Sequence, residues 1–163
     1  MHKLQEQYLF LARHNIHSAE ELVGTIDSLT DKKKETSAEK SRVYKARERS
    51  MELFTAADEM ENLKPAEQSY RLGDIFFEDE HRKWVALEQE LQAQGYSLEE
   101  VQALRRHYKE EYSEVCAREK VVCRELNTGK AILNSMIPDS ISDGRKTEYN
   151  REIIRDRKEQ PVR

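Results

Sequence analysis

The sequence predicts an all-α fold, an elongated helical bundle in which long helices pair antiparallel as in a coiled coil. Charged residues make up 37% of the 163 residues and hydrophobic residues another 37%, a balance typical of helices with solvated faces. Five Gly and three Pro supply few turn signals, which argues against a β fold. Seven Tyr, four Phe and one Trp provide too many apolar anchors for a wholly disordered chain.

The first predicted helix covers residues 2–13. Its apolar positions at helical spacing are Leu4, Tyr8, Leu11 and Ala12. Because these positions share one side of a helix, we expect that side to pack against the rest of the bundle.

A turn with capping chemistry separates the first helix from the second. Asn15 suits the left-handed position just past a helix end. Ser18 and Glu21 form a capping box, in which the Ser18 hydroxyl accepts from the backbone N–H of Glu21 and the Glu21 carboxylate reaches back. The second helix is predicted over residues 19–62, because Pro65 discourages continuation.

The middle of this second helix has little apolar surface to bury. Residues 30–50 hold eight Lys or Arg against four Asp or Glu. Lys, Arg, Glu and Ala are good helix formers, so intrinsic propensity keeps the stretch helical where burial cannot. We interpret it as a solvated rod that joins two better-packed ends.

The third helix is predicted over residues 75–94. Gly73 and Asp74 read as a stop followed by a new N-cap, and Gly95 suits the position after the last turn. The next helix, over residues 98–136, opens with a second capping box.

This last helix carries the most regular heptad of the chain. Its apolar residues are Val101, Tyr108, Val115 and Val122 at seven-residue intervals, accompanied by Leu104, Tyr112 and Leu126. The pattern favours antiparallel pairing with the second helix. Residues 1–137 are therefore predicted to form one helical bundle. Residues 138–163 are a polar basic tail, which we expect to be partly disordered or a short helix.

Candidate catalytic, cofactor and metal sites are weak, and none is predicted. Cys116 and Cys123 are seven residues apart on one helix, too far for a disulfide, and are interpreted as small core residues. Glu78-x-x-His81 has the spacing of di-iron bundles, but such sites need two copies, so a solvated helix start is the better interpretation. His14 and His17 lack the further ligands of a zinc site.

The basic run on the second helix is the one polar feature with functional promise. Its residues are Lys32, Lys33, Lys34, Lys40, Arg42, Lys45, Arg47 and Arg49. Spread around a helix, these residues could follow a phosphate backbone or contact a protein partner. The alternative is a solvent-facing coiled-coil surface, which is favoured because acids interleave with the bases and no aromatic stacking platform accompanies them.

Charge and hydropathy indicate the cellular setting. The net charge of -4 argues against a chain built as a whole to condense on nucleic acid. The sequence has no stretch of about 20 apolar residues that could cross a bilayer, and no signal peptide precedes Tyr8. We expect a cytoplasmic protein.

Residues 14–29, HNIHSAEELVGTIDSL, lead into a Lys-, Arg- and Glu-rich helix and resemble the C-terminal helical region of relaxases from conjugative elements of Gram-positive bacteria. The shared features are an asparagine–isoleucine turn, a Ser/Thr-x-Glu-Glu-Leu cap and an Ile-x-x-Leu continuation. The resemblance is clearest over residues 14–50. Such mobilisation nucleases nick DNA at the origin of transfer, using an N-terminal domain with a catalytic Tyr and a histidine-bound metal.

No catalytic residue is carried over, because this sequence has no His-x-His motif. Four tyrosines are interpreted as packing residues: Tyr8, Tyr44, Tyr108 and Tyr112. The resemblance implies a non-catalytic accessory domain of a bacterial relaxase, with protein partners in a conjugative transfer complex, weak auxiliary DNA contacts and a homodimer through the long helices. The alternative is a stand-alone structural coiled-coil adaptor with no DNA role.

Overall fold

A computed structural model describes residues 2–137 of the chain. Every regular element in this range is helical, which confirms the predicted all-α class. The elements are α1 (His2–Arg13), α2 (Ala19–Arg49), α3 (Met51–Arg71), a 3₁₀ turn (Ile75–Phe77), α4 (Glu78–Ala93) and α5 (Leu98–Ser135). The tail predicted over residues 138–163 lies outside the described residues.

The helices group into two compact units, whereas one bundle over residues 1–137 is the expectation from the sequence. Of the described residues, unit 1 contains residues 2–33 and 121–137, and unit 2 contains Lys34–Lys120. The helices α2 and α5 each contribute one segment to unit 1 and one segment to unit 2. Each unit therefore contains part of α2 and part of α5.

The core of unit 1 confirms only part of the predicted apolar face of α1: Leu11 packs against this core, whereas Leu4 and Tyr8 do not. The buried residues of this core are Phe10, Ile16, Leu22, Ile26, Leu29, Leu126 and Ile132. Leu4 and Tyr8 are 77% and 71% exposed, whereas Phe10 is only 3% exposed. A Cβ added at Gly129 of α5 would lie 3.1 Å from Phe10 Cζ, so the large ring fills the space left by the missing side chain. Phe10, which the predicted face did not include, is therefore the residue of α1 that packs against Gly129.

The core of unit 2 lies among α3, α4 and α5. Its buried residues are Leu53, Phe54, Ala56, Ala57, Met60, Trp84, Leu91 and Val101. The helix α5 runs antiparallel to α2 and α3, because Ser37 bonds to Glu119 whereas Asp58, further along the chain, bonds to the earlier Arg105. The antiparallel pairing of long helices is thus confirmed within this unit.

The predicted helix over residues 19–62 is wrong at its C-terminal boundary, since α2 ends at Arg49. Ser50 has φ -95° and ψ 4°, and its N–H donates to the carbonyl of Arg47 at 3.0 Å rather than to the residue four positions back. Its hydroxyl donates to the Ala46 carbonyl at 3.3 Å. A serine hydroxyl that bonds to the carbonyl four residues back competes with the regular helical hydrogen bonds. The interruption between α2 and α3 is one residue long, because α3 begins at Met51.

Pro65 does not end the helix, contrary to the prediction, and α3 continues to Arg71. A proline inside a helix removes one hydrogen bond and costs about 3 kcal/mol in an isolated helix. Here Met60 and Glu67, on either side of the proline, are 1% and 3% exposed. Tertiary packing on both sides therefore offsets the intrinsic cost.

The predicted capping chemistry is confirmed. The hydroxyl of Ser18 accepts from the Glu21 N–H at 3.2 Å, and the Glu21 carboxylate accepts from the His17 N–H at 2.6 Å. The hydroxyl of Ser97 accepts from the Glu100 N–H at 3.2 Å, and the Glu100 carboxylate accepts from the Ser97 N–H at 2.8 Å.

The turns between helices also follow local chemistry, with one shifted boundary. Asn15 and Gly95 have positive φ, at 52° and 84°. Asp74 is an N-cap, and its carboxylate accepts from the Phe76 N–H at 3.1 Å. It caps the 3₁₀ turn, however, so α4 begins at Glu78 and not at residue 75 as predicted. These turns fix where each long helix starts.

Candidate functional site

All eight residues of the predicted basic run lie on α2, but in different units. Lys32 and Lys33 fall in unit 1, and the other six bases fall in unit 2. The six bases of unit 2 are Lys34, Lys40, Arg42, Lys45, Arg47 and Arg49. Some of these bases contact α5 and others are exposed to solvent, so the eight residues do not form one continuous basic surface.

Lys40 is occupied by a contact inside unit 2. Its Nζ lies 2.8 Å from Oε2 of Glu119 on α5, and Ser37 Oγ donates to the other oxygen of the same carboxylate at 3.0 Å. The hydrogen bond to Glu119 raises the pKa of Lys40 above its ordinary value. Lys40 therefore holds α2 to α5 and is a poor candidate for contact with a nucleic acid.

One acid that interleaves with the bases is occupied in the same way. Arg118 of α5 donates to the carboxylate of Glu39 at 2.8 Å, and this hydrogen bond lowers the pKa of Glu39. Arg118 has the larger effect, and Arg42 of the basic run adds a smaller electrostatic attraction to Glu39. The charge of this interleaved acid is therefore balanced mainly by a residue of α5.

Arg42, Lys45 and Arg49 share one exposed side of α2. They lie at positions i, i+3 and i+7, which places them within about 60° of each other around the helix axis. None of the three makes an ion pair with any other residue in the range 2–137. We call these three residues the basic face. Their spacing suits the repeated negative charges of a phosphate backbone.

Tyr44 is exposed, which corrects its interpretation as a packing residue. It is 49% exposed and lines a groove between α2 and α5 of unit 2 with a volume of about 350 Å³. The other groove residues are Ser37, Lys40, Ser41, Lys45, Tyr112 and Glu119. An aromatic side chain therefore does accompany the bases. The signal in the sequence is that Tyr44 follows the buried Val43, because the next helical position is turned about 100° from the core.

The other three tyrosines differ in their surroundings. Tyr108 packs on the core of unit 2, with its ring 6.5 Å from that of Phe54 in an edge-on arrangement. Tyr112 is partly buried. Tyr8 is 71% exposed, so its interpretation as a packing residue is also wrong.

Cys116 and Cys123 are both free and partly buried, less so than expected for core residues. Among residues 2–137, no group of three His, Cys, Asp or Glu side chains is arranged to hold a metal ion. In the same range, no helix combines the length and the apolar character needed to cross a membrane.

A charged cluster that the sequence did not reveal joins α3 and α4. The side chain of Glu67 is only 4% exposed, and its carboxylate accepts from Arg71 Nε and from His81 Nδ1, both at 2.6 Å. The ring of His81 stacks on Tyr70 with centroids 4.2 Å apart. Glu78, which shares the Glu-x-x-His motif with His81, instead pairs with Arg82 at 2.6 Å.

Burial raises the pKa of Glu67, but the hydrogen bonds from His81 and Arg71 outweigh it, so the pKa lies below its ordinary value. The ionised carboxylate is satisfied by two donors within its own unit. This arrangement is that of a structural ion pair that fixes α3 against α4.

Comparison with known proteins adds no assignment. No protein-family model matches the chain, and no curated protein or solved structure gives a match.

Proposed function

We propose that the chain is a non-catalytic accessory region of a conjugative relaxase in the bacterial cytoplasm, which mediates protein contacts and auxiliary DNA contacts during DNA mobilisation. The proposal combines the resemblance over residues 14–50 with the placement of the basic run. It assigns no cofactor and no catalytic step to the chain. Its partners are proteins of a conjugative transfer complex and a second copy of the chain.

The basic face is the observation that carries the DNA part of the proposal. Arg42, Lys45 and Arg49 share one exposed side of α2, and no ion pair within residues 2–137 involves them, although Arg42 attracts the nearby Glu39 electrostatically. Each phosphate contact releases counterions, so three adjacent bases give measurable, salt-dependent affinity. Tyr44 lies beside Lys45 and offers a ring on which an unpaired base can stack.

Titration of labelled oligonucleotides across salt concentrations tests this part. The wild-type chain is expected to bind single- and double-stranded DNA without sequence preference at about 50 mM salt. Reversal of the basic face with Arg42→Glu, Lys45→Glu and Arg49→Glu should weaken binding more than tenfold. It should also reduce the slope of log K against log salt by about two to three, since each contact contributes roughly 0.7 to 0.9.

A matched control reverses two exposed bases elsewhere and is compared with the two-residue variant Lys45→Glu, Arg49→Glu of the basic face. Arg106 and Lys109 are exposed bases on α5, and the Arg106→Glu, Lys109→Glu variant should bind DNA within about threefold of the wild type. Equal losses in both variants would mean that only net charge matters. In that case the basic face would not be a specific DNA-binding surface.

The second candidate is a stand-alone structural adaptor, and the cross-helix ion pairs of unit 2 favour it. Glu39 with Arg118, Lys40 with Glu119 and Asp58 with Arg105 all tie α2 or α3 to α5. Such pairs specify the register of antiparallel helices without any reference to DNA. Absence of DNA binding at low salt, with the helical fold intact, would leave this adaptor role as the function.

A further inference from the structure

A small cavity in unit 2 lies where the end of α4, the following turn and the start of α5 meet α3. Its volume is about 100 Å³. Its inner wall is apolar, because three of its lining residues, Met60, Trp84 and Leu91, are only 1%, 9% and 1% exposed. One water molecule needs only about 10–15 Å³ of such space, so the cavity has room for a small organic group.

The indole of Trp84, which lines this cavity, has an unused hydrogen-bond donor. Its Nε1 is buried and has no hydrogen-bond partner among residues 2–137. The indole N–H can only donate, and folded proteins seldom leave a buried donor unpaired because the loss of its bond to water is costly. A ligand that completes this cavity should therefore carry a hydrogen-bond acceptor.

The chain around the cavity is acidic. Residues 84–100 contain four Glu and no Asp, Lys or Arg. Two of these acids, Glu88 and Glu99, are exposed and line the cavity. Neither makes an ion pair with another residue in the range 2–137. The cavity therefore attracts a cation and repels an anion.

The aromatic side chains of the cavity favour one class of cation. Trp84 and Tyr96 both line it. Aromatic rings attract cations, and quaternary ammonium ions are the ligands for which proteins use several such rings together. A primary ammonium group needs acceptors for its N–H groups, which the apolar side chains of Met60 and Leu91 do not provide. A methylated ammonium group has no N–H and fits an apolar wall.

We propose that this cavity binds a free, small quaternary ammonium ion that also carries a hydroxyl group, the chemistry of choline. The Trp84 Nε1–H donates to the hydroxyl oxygen of the ligand. The ammonium group lies against the aromatic side chains and is attracted by the carboxylates of Glu88 and Glu99. The site uses none of the residues of the basic face, so it does not depend on the DNA contact.

Titration of the whole chain with choline tests the site. Trp84 is the single tryptophan of the sequence, so its fluorescence reports on the cavity directly. The fluorescence should change with a dissociation constant of about 0.1–1 mM. The uncharged analogue of choline, with carbon in place of the quaternary nitrogen, should bind at least about tenfold more weakly. Phosphocholine should also bind more weakly than choline, because the acids repel its phosphate.

A pair of matched variants tests the acids by calorimetry. The Glu88→Gln, Glu99→Gln variant should raise the dissociation constant for choline at least about fivefold, because it removes both charges that line the cavity. The control is Asp79→Asn, Glu90→Gln, which removes the same charge from exposed residues and should change the constant less than about twofold. All four positions are exposed, so both variants should keep the core of unit 2.

A third variant tests the hydrogen bond. Trp84→Phe keeps an aromatic ring but removes the N–H donor, so it should weaken choline binding about threefold to tenfold. Binding of tetramethylammonium, which has no hydroxyl group, should change less than about twofold. The proposal is overturned if choline does not bind at about 10 mM, if the uncharged analogue or phosphocholine binds as tightly as choline, if the two double variants have equal effects, or if Trp84→Phe weakens both ions equally.

Discussion

Glu67 and His81 are 14 residues apart in the sequence, and their side chains meet at 2.6 Å between α3 and α4. Arg71 donates to the other oxygen of the same carboxylate, also at 2.6 Å. Glu67 is the one strongly buried acid among the described residues, with 3% of its surface exposed. The stability of unit 2 should therefore depend on this residue more than on other acids.

Glu67→Gln should lower the free energy of unfolding by about 1–3 kcal/mol, because the neutral amide cannot accept two charge-assisted hydrogen bonds and leaves buried donors poorly satisfied. Urea denaturation followed by circular dichroism measures this loss. Glu78→Gln is the matched control. Its pair with Arg82 is exposed, so the change should be below about 0.5 kcal/mol. Similar losses in both variants would contradict a special role for Glu67.

Stability should fall in acid through the same residue. The pKa of Glu67 in the folded chain lies below its ordinary value of 4.5, so the unfolded state binds protons more readily than the folded state. The contribution of Glu67 is present in full above about pH 4.5 and is lost as the pH falls through the folded-state pKa. The difference in unfolding free energy between wild type and Glu67→Gln should shrink on acidification from pH 6 to about pH 3. A constant difference would count against this linkage.

Two glycines should respond in opposite directions to a larger side chain. Gly24 lies inside α2, and no atom lies within 4 Å of the point that a Cβ would occupy, so Gly24→Ala should stabilise unit 1 by about 0.5–1 kcal/mol. At Gly129 in α5, both Ile26 Cγ1 and Phe10 Cζ lie 3.1 Å from the corresponding point. Gly129→Leu should therefore destabilise by at least about 1–3 kcal/mol through overpacking. Thermal unfolding of both variants would show whether the signs differ.

Replacing Arg105 with lysine should lower the free energy of unfolding. Its guanidinium donates to both Asp58 oxygens at 2.7 and 2.9 Å, donates to the Phe54 carbonyl at 3.2 Å, and lies 5.1 Å from the centre of the Phe54 ring. Lysine keeps the charge but cannot make the two-pronged contact. Since both partners are partly exposed, the expected cost of Arg105→Lys is only about 0.5–1 kcal/mol, measured by urea denaturation. No loss at all would show that charge alone suffices.

Local chemistry in the sequence predicted where α2 and α5 begin, whereas distant contacts decide features that it could not predict. Ser18, Ser97, Asn15 and Gly95 act through bonds or backbone angles within a few residues, and such signals are readable from one sequence. The continuation of α3 through Pro65 depends instead on packing against other helices.

The basic face and its surroundings show the same limit. The spacing of Arg42, Lys45 and Arg49 is visible in the sequence, but the diversion of Lys40 and Glu39 toward α5 depends on Glu119 and Arg118, 79 residues away. The cluster around Glu67 also depends on a residue of another helix. Periodicity predicts which residues can share a face, but it does not predict which charged residue binds another helix.

The separation between contacting partners also has a consequence for synthesis on the ribosome. Glu67 and His81 belong to adjacent helices, so the α3–α4 hairpin can close soon after it emerges. The contact between Lys40 and Glu119 can form only after another 79 residues have been synthesised. At about 5–20 residues per second, this takes roughly 4–16 s. During that interval the nascent α2 has no α5 against which to pack.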